Sequence, residues 1–137
     1  VSQTGVVGIV INVSEHYSIV ASLLNKEIRV SSKIARTGHV GSLMWTGTSA
    51  TEGLLTEIPQ HVNVRRNDTI ITSGYSTIFP KGIVLGVVHK IRQNKGTFSD
   101  IFINFTTDFS NLDYVYVVEA LNAEERRALE EKATGGL

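Results

Sequence analysis

The segment N-D-T-I-I-T-S-G-Y-S-T-I-F-P-K-G-I-V-L-G, residues 67–86, packs several turn signals and short apolar strands into one stretch, and it sets the architecture of the chain. Asn67 and Asp68 open a turn, because both side chains bond nearby backbone and both tolerate left-handed geometry. Residues 69–72 read Thr-Ile-Ile-Thr, β-branched throughout, which favours a pleated strand. Gly74 permits a positive φ where the chain must turn. Pro80-Lys81-Gly82 fits a type II turn with proline second and glycine fourth. A second strand follows, interrupted by Gly86.

The same alternation extends in both directions. Residues 5–13 read as a strand in which Val7, Ile9, Ile11 and Val13 make one continuous apolar face. Gly8, on the other face, marks a bulge or a close backbone approach. Ser14-Glu15-His16 is a turn, so residues 17–24 pair back as a hairpin. Asn25-Lys26 turns again before a short strand at 28–31, and Arg36-Thr37-Gly38 turns once more. Further strands are expected at 40–45, 54–58, 69–73, 83–92, 100–105 and 114–118. The second of these ends at Pro59, which cannot donate to a central ladder. Ile83, Leu85, Val87 and Ile91 are expected on one face, as are Ile101, Ile103 and Phe105. Trp45 suits either core or rim.

Only the tail reads as helical. Asn122 is the N-cap, Glu125 its capping-box partner, and Gly135-Gly136 the stop. This helix is polar nearly all round, and a short lone helix of that kind is marginal in water. The expected fold is therefore all-β: a small β-barrel, or barrels, of short antiparallel strands with a short C-terminal helix. Residues 1–120 form the barrel part, as one unit or two small sub-barrels, and residues 121–137 the helical tail.

The totals narrow the function. With 137 residues, 42% of them apolar, the chain has the size and composition to bury a core. Its formal net charge is zero, so no strong field gathers nucleic acid or an anionic membrane. The absence of cysteine excludes disulfides, thiolate metal sites and a cysteine nucleophile. No apolar run approaches the ~20 residues that span a bilayer. No leader opens the chain, which starts almost directly in a strand, as a fragment of a longer protein would.

The ordered motifs carry a resemblance. Gly5-Val6-Val7-Gly8 opens the set, followed by Tyr17-Ser18 with Val20, then Arg36-x-Gly38 with Gly41. Gly47, Leu54-Leu55 and Ile58-Pro59 come next, then Val64 through Asp68 and Thr72-Ser73-Gly74. Phe79-Pro80-x-Gly82, Gly86-x-Val88, Phe98 and residues 114–118 complete it. In this order and spacing the chain resembles the periplasmic C-terminal β-domain of the rod shape-determining protein MreC family, over residues 5–118. It departs at Asn67, where the family has glycine. It also lacks the family's transmembrane helix, coiled coil and earliest β-strands.

The resemblance implies a non-catalytic scaffold of the bacterial cell-elongation machinery. It would be the periplasmic, extracytoplasmic part of an inner-membrane protein, reaching the membrane only through an N-terminal helix of the parent. Implied partners are the elongation-specific class B penicillin-binding protein, a peptidoglycan transpeptidase, other elongation-complex proteins, and further copies in a homo-oligomer. No cofactor is implied.

Other chemistries are weighed against it. A hydrolase barrel would need a serine bonded to a histidine that an acid orients. Ser73 sits in T-S-G without a protease-like motif and reads as a turn residue whose hydroxyl caps local backbone. His16, His39, His61 and His89 show no metal-ligand spacing. Arg65, Arg66, Lys81, Lys90, Arg92 and Lys95 lack interleaved aromatics, and read as solvated turns and strand edges rather than a nucleic-acid surface. A generic peptide- or ligand-binding barrel, SH3-like or efflux-adaptor-like, is the alternative.

Two surfaces stand out as partner-binding candidates. Tyr75, Ile78 and Phe79 lie on one loop, where they either anchor a partner or fold down to plug a barrel end. Tyr114 and Tyr116 alternate with valines, and form an outer stripe if the valines face inward.

Overall fold

A computed structural model describes residues 1–75, 78–93 and 96–118. Eight strands follow in chain order: β1 (Gly8–Val13), β2 (Ser18–Ser22), β3 (Val30–Ile34), β4 (Val40–Trp45), β5 (Glu52–Pro59), β6 (Thr69–Thr72), β7 (Val84–Gln93) and β8 (Phe98–Phe105). Strands β3 to β8 close into an antiparallel barrel of order β3-β4-β5-β8-β7-β6, with β6 pairing back onto β3. Strands β1 and β2 form a separate two-stranded sheet.

The barrel closes because alternate residues of every strand are branched or long apolar side chains. Ile34, Leu43, Leu55, Ile58, Ile70, Ile101 and Ile103 are completely buried, with Val30, Leu85 and Val88 nearly so. Each such side chain contributes about 1.5–3 kcal/mol relative to an exposed one. Small barrels must bend sharply, and bulges supply the bend. The β5–β8 register shifts between Leu55 and Ile58, where Glu57 takes φ 69°. Strand β7 shifts against β8 between Val88 and Lys90.

A further shift, of β6 against β7 between Ile70 and Ile71, leaves Leu85 as an extra residue and explains one misplacement. Strict alternation put Ile83, Leu85, Val87 and Ile91 on one face. Instead Leu85 and Val88 are buried, Val87 is half-buried and Ile91 is exposed. Strand β8 has no interior bulge of its own, and Ile101, Ile103 and Phe105 do share the core face.

The segment 67–86 folds around its turns. Asn67 adopts φ 72°, so asparagine takes the left-handed position directly. Gly74 has φ 83°, and a Cβ there would lie 2.7 Å from Lys81 Cβ. The turn after Pro80 is framed one residue later than sequence suggested. Its positive φ falls on Gly82, at 91°, so glycine is third and not fourth. Thr72 locks this turn: its hydroxyl donates to the Pro80 carbonyl at 2.6 Å and accepts from Ile83 N–H at 2.8 Å.

Three further expectations change. The strand near residue 28 runs over Val30–Ile34, because Asn25 and Lys26 extend their turn to Ile28 by an Ile28 N–H to Asn25 carbonyl bond of 3.1 Å. Residues 114–118 form no strand; Tyr116 exchanges two backbone hydrogen bonds of 2.7 Å with Val1 and its neighbours find no ladder. The β1 face of Val7, Ile9, Ile11 and Val13 is not continuous, since the ladder slips between Val10 and Asn12. The bulge therefore sits at Ile11, whereas Gly8 provides close approach: a Cβ on it would lie 2.2 Å from the Ala21 carbonyl oxygen. The expected C-terminal helix lies outside the described residues.

Candidate functional site

The apolar surface concentrates at one end, where β1 and β2 leave the barrel. Val10, Ile11 and Val13 of β1 and Ile19 and Val20 of β2 are all exposed, as is Tyr17 in their turn. A two-stranded sheet has only one partner strand for each member, so each keeps a free backbone edge. In the barrel every strand is paired on both sides and no edge remains. Among the described residues, edge pairing is therefore available at β1 and β2 and not on the barrel wall.

Residues 114–118 lie beside this sheet. All five are exposed, Tyr114 most of all at 87%. The expected stripe of outward tyrosines and inward valines does not form, because Val115, Val117 and Val118 are exposed too. Between the sheet, this segment and the barrel runs a groove of about 250 Å3, lined among others by Val7, Ile9, Val20, Phe79, Val115 and Val117. The loop candidates divide. Tyr75 is 78% exposed and Ile78 49%, while Phe79 is 8% exposed and joins the barrel core at the groove floor.

The barrel wall holds the polar groups that sequence left scattered. Arg36 reaches from the β3–β4 turn to Asp68 in the β6 turn, donating Nε–H to Oδ1 and Nη2–H to Oδ2, both at 2.9 Å. Asp68 also accepts from Arg65 N–H at 2.8 Å. The Arg36 guanidinium, aided by that amide, holds the buried Asp68 carboxyl below its ordinary range against the opposing effect of burial. Two motif pieces read separately in the sequence thus form one fork-to-fork clamp. Nothing in their spacing signals that they meet.

Ser73 Oγ lies 2.7 Å from Ser31 Oγ and accepts from Tyr75 N–H at 3.2 Å, so its hydroxyl does cap local backbone. His89 pairs with Glu52 at 3.1 Å. Among the described residues, no group of three His, Cys, Asp or Glu side chains could hold a metal, and no helix is long and apolar enough to cross a membrane. Lys90 and Arg92 stand over the Phe102 ring at 5.6 and 5.3 Å, where its π face attracts them. Trp45 packs on the core margin and donates its indole N–H to the Ser49 carbonyl at 2.7 Å.

Comparison with solved structures places this geometry. MreC from Pseudomonas aeruginosa superposes with a TM-score of 0.71 at 20% identity, over 77% of this chain and 68% of that one. MreC from Listeria monocytogenes gives 0.73 at 23% identity, over 80% of this chain and 54% of that one. The MreC chain in a complex with penicillin-binding protein PBP2 from Helicobacter pylori gives 0.62 at 18% identity, over 79% of this chain and 76% of that one. At these identities the matches establish the fold. This chain spans little more than half of the Listeria structure and about two thirds of the Pseudomonas one. A comparison with curated proteins gives no match. The family model for the barrel core of rod shape-determining protein MreC matches residues 1–119, and the chain belongs to that family.

Proposed function

We propose that this chain is a non-catalytic scaffold of the bacterial cell-elongation machinery, working outside the inner membrane. It binds the elongation-specific class B penicillin-binding protein and associates with copies of itself. The observation that carries this reading is the exposed apolar end: the β1–β2 sheet with residues 114–118 and the groove between them. Contiguous exposed apolar surface of this kind marks protein contact sites. The relative captured with PBP2 supports a penicillin-binding protein as the partner. Self-association fits the free edges of β1 and β2, which can extend by strand addition. The hydroxyl of Ser73 is engaged with Ser31 and Tyr75, which supports a structural and not a nucleophilic role.

The test is a binding titration of the folded chain against the periplasmic part of the elongation transpeptidase, with a cell-division transpeptidase as control. Saturable binding to the first alone, weakened by Ile11→Asp, is the expected result. Equal binding to both proteins, or none to either, overturns the partner assignment.

A further inference from the structure

On the barrel wall lies a second, chemically different surface. A shallow depression of about 260 Å3 is lined by Lys33 of β3 and Lys81 of the Pro80 turn, with Ser73, Gly74, Tyr75 and Val40. Among the described residues no carboxylate lines it. Both lysines line the same depression, and among the described residues neither forms an ion pair with an acid. Like charges repel, and Lys81, aided by partial loss of water, holds Lys33 below the ordinary lysine range. The backbone enforces the juxtaposition at its base. Lys33 is fixed in the barrel ladder opposite Val40 and Ile71, and the Lys81 stem packs against Gly74.

A hydroxyl pair stands beside them. Ser31 and Ser73 carry one O–H proton each, and the single 2.7 Å bond between them uses one. Ser73 Oγ already accepts from Tyr75 N–H. Ser73, which lines the depression, is one of the two possible donors in the bond with Ser31. Two cations and a hydroxyl thus converge where no carboxylate among the described residues lines the depression. Around them stand exposed apolar groups: Tyr75 at 78% and Val40 at 38%.

We infer that this depression is a docking site for an acidic segment of a partner protein, in which a side-chain carboxylate sits between Lys33 and Lys81 and an adjacent apolar residue packs on Tyr75 and Val40. The apolar rim favours a peptide carboxylate over a free inorganic anion, which would gain nothing from Tyr75. This surface is separate from the apolar end described above, since its lining shares no residue with the groove.

The experiment is an amide NMR titration of the full chain with three probes: a peptide containing Glu-Leu-Glu, its Gln-Leu-Gln counterpart, and inorganic phosphate. The expected result is saturable shifts at Lys33, Ser73, Gly74 and Lys81 with the Glu peptide only. Lys33→Ala with Lys81→Ala should weaken that binding at least tenfold while the melting curve stays in place, because both side chains lie at the surface. Raising salt from 50 to 300 mM should weaken it further. Equal response to the Gln peptide, a phosphate response as strong as the peptide's, or no shift at these amides would each overturn the inference.

Discussion

Strands β5 and β1 carry the same kinds of residue and meet opposite fates. In β5, Leu55 and Ile58 are completely buried, because β4 and β8 flank the strand and the opposite barrel wall covers it. In β1, Ile11 is 62% and Val13 67% exposed, because among the described residues β2 is its only paired strand and no second sheet stands opposite. The comparison separates two properties that alternating sequence confounds. Period-2 apolarity says that a face prefers to be covered, and topology decides whether this chain covers it. Where it does, the face stabilises the fold; where it does not, the face is left for binding.

The largest effect should come from the covered side. Leu55→Ala should cost about 3 kcal/mol in urea unfolding, because the closed barrel cannot collapse around the void. A loss below about 1 kcal/mol would mean that the barrel wall relaxes as freely as the hairpin. Gly74→Val should cost about 2 kcal/mol, since φ 83° strains a β-branched residue and its Cβ meets Lys81. An unchanged thermal midpoint would remove Gly74 from that geometry.

Arg36→Ala should destabilise the fold at pH 7, though less than a core deletion, because the Arg36 side chain is 37% exposed and water can replace part of it. Its pH dependence has a definite sign. Asp68 is held below its unfolded pKa, so the clamp contributes fully above the ordinary carboxylate range of about 4 and is lost as pH falls through the depressed folded value. The gap between wild type and Arg36→Ala should therefore narrow in acid. A gap constant from pH 7 down to 2 would contradict the clamp.

The smallest stability effect belongs to the uncovered side. Ile11→Thr should change stability by less than about 0.5 kcal/mol, as exposed substitutions do. The same change, with Tyr116→Ala, should weaken transpeptidase binding measurably. If binding and stability fell together, β1 would be packed like β5 and the contrast between the two strands would disappear.

Much of this fold was legible from local chemistry. Asn67, Gly74 and the Thr-rich strand at 69–72 marked their turns and strand because those residue types act within a few positions of themselves. Residues 40–45 were placed at their observed bounds for the same reason. The bulges at Ile11 and between Val88 and Lys90 were not legible, since a bulge is a property of two strands in register and neither strand alone encodes it. Residues 114–118 look like a strand, yet a strand requires a partner, and Val1 supplies only one residue of pairing. The site divides along the same line. Tyr75 and Tyr116 were readable as candidates, but the residues alone left open whether Tyr75 plugs the barrel and whether Tyr116 faces outward, whereas the Arg36–Asp68 clamp and the Lys33–Lys81 juxtaposition depend on contacts between segments distant in the chain.

The pairing of Val1 with Tyr116 also has a mechanical side. The chain passes into the barrel region at Val6 and leaves it at Thr107, whose hydroxyl donates to the Val6 carbonyl at 2.8 Å. Entrance and exit are thus fastened at one pole. Tension pulling Val1 and Tyr116 apart would first load their two backbone bonds and then this fastening, opening them in sequence like a zip. The barrel staves, hydrogen-bonded to one another all the way round, would lie outside the line of force until both had given way.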